Sequence, residues 1–278
     1  MWATQADLPE VTAFLRRHVA QSMFPLANLN AHGLNGDHPR APNFIVQRHG
    51  KDITGVLCIT REGMLMPQCP DLDWTGVADL LADRDLIGII GPSEHARSLQ
   101  AALGLKDVPT MLDHDEAQYA LDLAQLIVPE GIGEIMPLTA TDKDEMILWR
   151  RDYDVEVLNV PVETANKTAP QEYAGYCDAQ SHVVLMDSGT ALCTTGFNAR
   201  LPDIVQIGGV YTPPDLRGKG HARRAVALHL LQAKAQGIQR ATLFSANQNA
   251  SRAYQAIGFT YIGQWTLCLF DGKQRIYE

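Results

Sequence analysis

The chain has 278 residues, of which 46% are hydrophobic and 20% charged, and its formal net charge at pH 7 is -9. This length exceeds the roughly 100 to 200 residues of a typical domain, and the composition excludes disordered, fibrous and membrane proteins. The negative charge opposes attraction to nucleic acid or to an anionic lipid surface. The sequence therefore predicts two folded domains, with neither nucleic acid nor a membrane as partner.

Apolar runs and cysteines give an expected compartment. No run approaches the roughly 18 apolar residues that span a bilayer, and "MWATQADLPE" lacks a basic region followed by an apolar one. The five cysteines are scattered and form no CxxC pair, which is typical of reduced thiols. We expect a cytoplasmic protein. We expect no metal site, because residues 113–116 in "LDHDEAQ" are interpreted as a solvated turn.

Apolar periodicity and turn formers divide the first half into helices and strands. Leu8, Val11 and Leu15 recur at helical spacing, Gly50 falls in the turn of a hairpin, and Gly104 ends a helix. In chain order the predicted elements are helix 5–20, strands 43–50 and 53–63, helix 74–83, strand 85–92 and helix 93–105.

The second half repeats this order after the turn formers of "VPEGIG", residues 128–133. We therefore predict two domains, 1–130 and 131–278, each of mixed α/β type. The predicted elements are helix 141–153, strands 181–187, 189–198 and 203–212, helix 219–236, strand 240–246, helix 248–257 and strand 260–270.

Two segments indicate an internal duplication. "EHARSLQAALGL" (94–105) matches "QNASRAYQAIGF" (248–259), with a glycine before the last apolar residue in both. The glycine-rich turn and helix of the second half have no counterpart that we identify in residues 60–85. Chance similarity between two amphipathic helices remains the alternative.

The stretch "RGKGHARRAV", residues 217–226, points to anion binding. Gly218 and Gly220 allow positive φ and a close approach of the backbone to a ligand, and the helix that follows presents free amides and a favourable dipole. Arg217, Lys219, Arg223 and Arg224 supply mobile positive charge. The Walker and dinucleotide patterns are absent. A solvated basic turn that caps a helix is the alternative.

These residues resemble the GNAT superfamily of acetyl-CoA-dependent N-acetyltransferases. "RGKGHA" is similar to its signature [QR]-x-x-G-x-[GA], with Arg217, Gly220 and Ala222 at the defining positions, and "NQNASRAYQAIGF" is similar to a second recurrent segment. The resemblance covers residues 134–278 well and the first half only in its order of elements. It implies two GNAT-like domains, each with a mixed, mostly antiparallel sheet flanked by helices, of which the first is degenerate.

The resemblance also implies a cofactor site for acetyl-CoA. Backbone amides of residues 218–222 would hold the pyrophosphate, and the edge of the strand carrying Val210 would pair with the pantetheine arm. Gly208 and Gly209 fit a bulge that opens this edge, or are weak points in a strand. The implied cofactor-binding residues are Val210, Tyr211, Thr212, Arg217, Gly218, Lys219, Gly220, His221, Ala222, Asn249 and Ser251. Asn249 is alternatively a helix cap.

The implied reaction is the attack of a neutral primary amine, on a small molecule or peptide, on the thioester. Tyr254 is predicted to protonate the leaving sulfur, with a core tyrosine as the alternative. No carboxylate precedes Val210 at matching parity, so Asp203, Glu172 and His182 stay open as the base. Rival interpretations are a non-catalytic acyl-CoA-binding module and a nucleic-acid binder. A homodimer is compatible with the sequence.

Overall fold

The computed structural model describes residues 1–276 of the chain. They form two compact units: one contains Met1–Glu116 and the chain from Gly263 onward, and the other contains Ala117–Ile262. We call them unit 1 and unit 2. In the described range, none of the helices is both long and apolar enough to cross a membrane.

The first nine helices and strands contribute mainly to unit 1. In chain order they are α1 (Leu8–Arg17), α2 (Met23–His32), β1 (Pro42–His49), β2 (Asp52–Thr60), β3 (Met64–Gln68), α3 (Val77–Leu81), β4 (Leu86–Pro92), α4 (Ser93–Ala102) and β5 (Thr110–Asp122).

The remaining elements contribute mainly to unit 2, except for the last strand, most of which belongs to unit 1. They are β6 (Glu134–Pro137), α5 (Lys143–Leu158), α6 (Val162–Asp178), β7 (His182–Asp187), β8 (Thr190–Arg200), β9 (Ile204–Tyr211), α7 (His221–Ala235), β10 (Arg240–Ser245), α8 (Gln248–Gln255) and β11 (Thr260–Gln274). The order of α1 to β5 thus recurs from α5 to β11.

Each unit contains a mixed, mostly antiparallel sheet. In unit 1 the strand order is β1-β2-β3-β4-β11, and the pair β3/β4 is parallel. In unit 2 the order is β5-β10-β9-β8-β7-β6, and the pair β9/β10 is parallel. The predicted fold class is confirmed.

The last strand of each repeat lies in the sheet of the other unit. Residues 117–122 of β5 pair with β10, and residues 265–274 of β11 pair with β4. The predicted boundary at 130/131 differs from this arrangement, because it keeps β5 with the first half and β11 with the second. Turn formers mark where a chain bends, but they carry no information on which strand a sequence pairs with.

Each sheet carries its own apolar core. In unit 1, Leu86, Ile89, Leu99 and Phe270 are at most 1% exposed and pack in one cluster. In unit 2, one cluster joins β9 and β10 to the inner faces of α7 and α8, and Val205, Val226 and Leu230 in it are fully buried. Burial of these faces stabilises the helices against the sheet.

Five elements were not predicted, and most of them contain proline or polar alternation. Pro25 in α2, Pro67 in β3 and Pro170 in α6 look like breakers in the sequence. Pro25 lies in the first turn of its helix, where an amide has no partner to lose. "LDHDEAQ" is part of strand β5 and not a turn, and the short β6 was also missed.

Candidate active site

Strands β9 and β10 separate in the middle of the unit 2 sheet. Their parallel pairing runs from Ile204 opposite Arg240 to Ile207 opposite Leu243. Beyond that point β9 follows β8 as far as Tyr211, while β10 follows β5 as far as Ser245. The edge of β9 from Gly208 to Tyr211 therefore faces a fork, and such an edge can pair with an extended, peptide-like ligand.

A β-bulge shapes this edge, as the two glycines predict. Gly196 opposes Gly208 and Thr194 opposes Tyr211, so two residues of β9 face one residue of β8. Gly209 has a φ of +60°, and a Cβ there would lie 2.7 Å from the His182 Nε2. A Cβ on Gly208 would overlap the Asn198 amide. Glycine is thus required at Gly209, whereas at Gly208 a side chain would displace the exposed Asn198 amide.

The turn before α7 forms an anion-binding cradle. Gly218 and Gly220 have φ values of +77° and +84°, and Gly220 is the N-cap of α7. As a glycine, Gly220 has no side chain to accept a hydrogen bond from the first amides of the helix. The first amides of a fifteen-residue helix, from His221 onward, therefore combine with the helix dipole at one point. This arrangement fits a diphosphate.

The cations around the cradle are less mobile than the sequence predicted. Arg217 donates to the Thr212 carbonyl at 2.8 Å, forms an ion pair with Glu156 at 2.7 Å and covers the Tyr211 ring. Its guanidinium therefore fixes the turn to α5. Lys219 is exposed, and its Nζ donates to the Asp215 carbonyl at 3.2 Å.

Arg224 is also less mobile than the sequence predicted. Its guanidinium donates to the carbonyls of Pro129, Ile132 and Gly133 at 2.6, 2.8 and 3.1 Å. These bonds hold the loop before β6 against α7. The positive charge of Arg224 is therefore committed to a structural role.

Helix α8 carries the predicted proton donor. Tyr254 is 8% exposed and belongs to the same apolar cluster as Phe259, against which Val210 of β9 packs. The structure thus brings the Tyr254 side chain and the β9 edge into one cluster. The packing alternative for its ring is correct, and its catalytic role stays a prediction.

The cap of α8 is Asn247 and not Asn249. The Asn247 side chain accepts a hydrogen bond from the Ala250 amide at 2.9 Å, whereas Asn249 is exposed in the first turn. Ser251 donates to the Ser245 hydroxyl at 3.1 Å, which ties the helix to the end of β10. The cofactor role of Asn249 and Ser251 stays a prediction.

Asp203 is not brought to the fork. It lies before the first residue of β9, and its carboxylate pairs with Arg240 at the opposite end of the strand. The distance along the strand to Gly209 is about 20 Å at ~3.3 Å per residue. Asp203 therefore has a structural role in place of the predicted role as general base.

A pocket opens beside the bulge, and its walls are largely aromatic. It encloses about 30 Å³, room for roughly two water-sized groups. We call it the aromatic pocket; its lining residues are Leu138, Met146, Trp149, Arg150, Tyr153, Tyr173, Tyr176, His182, Thr194, Gly209 and Tyr211.

Arg150 forms the charged part of this pocket. Its Nη2 lies 2.7 Å from the Asp154 carboxylate and its Nε 2.5 Å from that of Glu172. The guanidinium also covers the rings of Tyr153 and Tyr176. Glu172 is therefore near the pocket, but as a partner of Arg150.

His182 reaches the bulge from β7. It is 6% exposed, its ring stacks on Tyr176 with centroids 3.6 Å apart, and its Nδ1 lies 2.9 Å from the Ser181 hydroxyl. Within residues 1–276, its buried Nε2 has no hydrogen-bond partner. Burial, with Arg150 and His229 acting in the same direction, lowers the pKa of His182 to about 3.

Sequence reasoning missed most of the aromatic pocket. The signals were the spacing of Trp149 and Tyr153 on α5 and of Tyr173 and Tyr176 on α6, which places each pair on one helix face. The missed helix α6 hid the second pair. The i,i+4 pair Arg150 and Asp154 was also visible in the sequence.

The first repeat does contain a counterpart of the cradle, contrary to the sequence analysis. Residues 70–76 read "PDLDWTG" and residues 214–220 read "PDLRGKG". Gly76 is the N-cap of α3, with a φ of 71° that matches Gly220, but α3 has only five residues. Trp74 is buried in the core of unit 1, and its Nε1 donates to the Ser98 hydroxyl at 3.0 Å.

Across positions 1–276, the structure places no three histidine, cysteine or acidic side chains where they could hold a metal ion. In β5, Asp113 and Asp115 instead form ion pairs with Arg97 at 2.6 and 2.8 Å.

Comparison with known proteins agrees with this geometry. Residues 145–259, from α5 to the end of α8, match the model of the Acetyltransferase (GNAT) family. No curated protein matches the chain in sequence. The region 145–259 is therefore similar to a GNAT acetyltransferase domain, and acyl transfer is the class of reaction that this family supports.

Solved structures share the fold over nearly the whole chain. A GCN5-related N-acetyltransferase from Kribbella flavida is 15% identical, with 92% of this chain and 95% of that chain covered and a TM-score of 0.56. A GNAT acetyltransferase from Colwellia psychrerythraea is 14% identical, with 93% and 97% covered and a TM-score of 0.52. A Drosophila protein is 13% identical, with 97% of both chains covered and a TM-score of 0.62.

Proposed function

We propose that this chain is an N-acetyltransferase that moves the acetyl group of acetyl-CoA to a primary amine of a small molecule or peptide. The observation that carries the proposal is the combination, in unit 2, of the fork between β9 and β10 with the cradle at α7. A diphosphate and a peptide-like arm are the two recognition elements of coenzyme A. Acetyl-CoA supplies an activated acetyl thioester.

The residues that would hold acetyl-CoA act mainly through the backbone. Amides from Gly218 to Ala222 would bind the pyrophosphate, and Lys219 lies beside them with an exposed ammonium. The backbone from Val210 to Thr212, at the end of β9, would pair with the pantetheine arm. Tyr211 is 6% exposed, so its buried ring supports the strand edge while its backbone would bind the pantetheine arm.

The aromatic pocket is the proposed acceptor site, because Gly209 and Tyr211 belong both to its lining and to the β9 edge. An enclosed volume of about 30 Å³ accommodates an amine nitrogen and the carbon that bears it. The rest of the acceptor would lie at the pocket mouth. This size favours a primary amine over a secondary amine.

Tyr254 is the proposed proton donor to the leaving sulfur. An ordinary phenol, with a pKa of about 10, is protonated at neutral pH and can release its proton as charge develops on a leaving group. In the transfer, the amine lone pair forms the C–N bond while the C–S bond breaks. The sulfur takes the Tyr254 proton, and the proton lost by nitrogen returns to the Tyr254 oxygen through solvent.

A Tyr254→Phe variant tests this proposal. We expect acetyl-CoA affinity, measured by calorimetry, to stay within about twofold, because only a hydroxyl is removed. Turnover, measured as thiol release, should fall about 10²- to 10⁴-fold, the range of general acid catalysis. Unchanged turnover would remove Tyr254 from the mechanism, and failure of the parent protein to bind acetyl-CoA would overturn the proposed function.

A second candidate is a non-catalytic acyl-CoA-binding module. It is favoured by the lining of the aromatic pocket, in which no described residue is a carboxylate. This candidate predicts acetyl-CoA binding without thiol release for any amine, and an equal affinity in Tyr254→Phe.

The remaining expectations on partners and compartment stay proposals. The net charge of -9 supports an amine acceptor over nucleic acid or a membrane surface. All five cysteines are free thiols, and four of them are buried, which supports the cytoplasm as the compartment.

A further inference from the structure

The titratable groups around the aromatic pocket set limits on which amine it can use. The cavity is lined by residues of α5, α6, β7, β8 and β9 and by Leu138. Its titratable lining consists of Arg150, Tyr153, Tyr173, Tyr176, His182 and Tyr211. Charged or thiol groups that contact or influence this lining are Asp142, Asp152, Asp154, Glu156, Glu172, Cys177, Arg217 and His229.

Asp154 and Glu172, the two carboxylates beside the cavity, both form ion pairs with Arg150. The Asp154 side chain is 3% exposed and the Glu172 side chain 36% exposed. Burial and the neighbouring Glu172 raise the pKa of Asp154, while Arg150 opposes that rise. Because Arg150 lies in the lining and Asp154 does not, the guanidinium faces the amine in place of a carboxylate.

Three of the four phenols in the lining cannot act as bases at neutral pH. Burial raises the pKa of Tyr176 to about 12 and also raises those of Tyr173 and Tyr211. These hydroxyls stay protonated. They can donate hydrogen bonds to an acceptor molecule, but they cannot take its proton.

His182 can accept a hydrogen bond but cannot hold a proton. Its Nε2 is buried, points at the bulge and has no partner among the described residues, yet its pKa is lowered to about 3. Proton transfer from an alkylammonium of pKa about 10.4 to such an imidazole is unfavourable by about ten-million-fold. The pocket therefore binds a neutral nitrogen but does not generate one.

We propose that the aromatic pocket selects primary amines of low basicity, which are neutral to a substantial extent in water at pH 7. In such amines an electron-withdrawing group is attached to the carbon that bears the nitrogen or to the next carbon. This inference rests on the proposed function and narrows its acceptor to α-amino amides and similar compounds. His182 contacts the acceptor as a positioning residue: its Nε2 accepts one amine N–H and so directs the lone pair.

The size of the expected selection follows from protonation alone. At pH 7 an alkylamine with a pKa of about 10.4 is neutral in roughly one molecule in 2,500, whereas an α-amine with a pKa of about 7.8 is neutral in roughly one in 7. The neutral fraction thus differs by about 300-fold. The lower intrinsic nucleophilicity of the weaker base reduces this advantage.

The test uses amine pairs of similar shape and different basicity with the full chain and acetyl-CoA. The pairs are glycinamide with propylamine and 2,2-difluoroethylamine with ethylamine. We expect kcat/KM at pH 7 to be at least 10-fold higher for the weaker base of each pair. We expect the gap to close as the pH rises towards 10, with the inflection of each profile at the pKa of that amine.

Three results would overturn the inference. The first is equal or better use of propylamine at pH 7. The second is an inflection that stays at one pH for all amines and is lost in Asp154→Asn but not in Glu172→Gln, which would identify Asp154 as a base. The third is acetyl-CoA binding without turnover of any of the four amines. Absence of acetyl-CoA binding would instead overturn the proposed function.

His182→Phe separates positioning from structure. We expect its melting temperature to stay close to that of the parent, because Phe keeps the stack on Tyr176. Its kcat should fall about tenfold or more for glycinamide while the acetyl-CoA affinity is kept. An unchanged kcat in a folded variant would contradict the contact with the acceptor.

Discussion

The two Pro-Asp-Leu turns share a backbone and differ in chemistry. Gly76 and Gly220 are N-caps with nearly equal φ and ψ values, 71° and 5° against 84° and 8°. Between the shared residues, unit 2 has Arg-Gly-Lys and unit 1 has Asp-Trp-Thr. The comparison shows that the two turns share a backbone conformation, whereas only the turn of unit 2 has cationic residues and a second glycine.

The strands beside the two turns also differ. The parallel pairing of β3 and β4 ends at Leu65 opposite Ile89, as that of β9 and β10 ends at Ile207 opposite Leu243. Beyond Leu65, Pro67 of β3 has no backbone N–H to donate in a hydrogen bond. Its ring lies 3.1 Å from the position that a Cβ on Gly91 would occupy. We infer that unit 1 uses this region for packing.

The largest expected effect is on the stability of unit 1. Trp74→Ala removes a side chain that is 9% exposed together with its hydrogen bond to Ser98. We expect a loss of about 3–5 kcal/mol in the free energy of unfolding, measured by urea titration. Ser98→Ala is the control and should cost about 1 kcal/mol. Equal costs for the two variants would show that Trp74 is not a core residue.

The second prediction exchanges the chemistry of the turns. Arg217→Asp, Gly218→Trp and Lys219→Thr together give unit 2 the turn of unit 1. We expect the Kd for acetyl-CoA to rise at least about 100-fold, or ~2.7 kcal/mol, because a negative charge replaces positive ones and Trp disfavours a φ of +77°. Calorimetry measures this change.

The matched control modifies unit 1 instead. Asp73→Arg with Thr75→Lys introduces the cations but keeps Trp74 and Pro67. We expect the stoichiometry to stay at one acetyl-CoA per chain. A second site would show that charge alone separates the two units.

The third prediction concerns acid stability, and its effect is smaller. Burial lowers the pKa of His182 and of His229, both in unit 2, to about 3. In the unfolded chain their pKa is about 6.5, so below that pH the unfolded state binds more protons. Their contribution to stability is complete above pH 6.5 and is lost as the pH falls towards 3, at a slope approaching 1.4 kcal/mol per pH unit for each.

Urea titrations between pH 7 and 4.5 measure this slope. We expect His229→Gln to reduce it by about half, because one of the two buried imidazoles is removed. His49→Gln, at an exposed position of unit 1, should leave it unchanged. Equal slopes in the parent and His229→Gln would contradict the prediction.

Local pattern predicted most of the fold. Helices α1, α4, α5, α7 and α8 and the hairpin β1/β2 follow from apolar spacing and glycine positions. Helix α6 was missed because Pro170 interrupts it, although Ala165, Ala169 and Tyr173 are buried at i,i+4 spacing. Tertiary packing overrides the cost of such a proline. The pairing partners of β5 and β11 depend on the whole chain, and local pattern does not encode them.

For the site, glycines were better guides than charges. The bulge at Gly209 and the cradle at Gly218 and Gly220 lie where the sequence predicts them, because positive φ is a local requirement. Arg217 and Arg224 were misjudged because the carbonyls and the carboxylate they bind come from distant segments. The counterpart turn at 70–76 was detectable in the sequence from Pro-Asp-Leu and the glycine four residues after the leucine.

The exchange of last strands has a consequence for synthesis on the ribosome. Residues 1–116 cannot complete their sheet when they emerge, because β4 must wait for residues 265–274. During that interval the edge of β4 is exposed and open to wrong pairing. Unit 2 receives β5 before the rest of its strands are made, so its sheet can assemble in the order of translation. Unit 1 is therefore the later of the two to close.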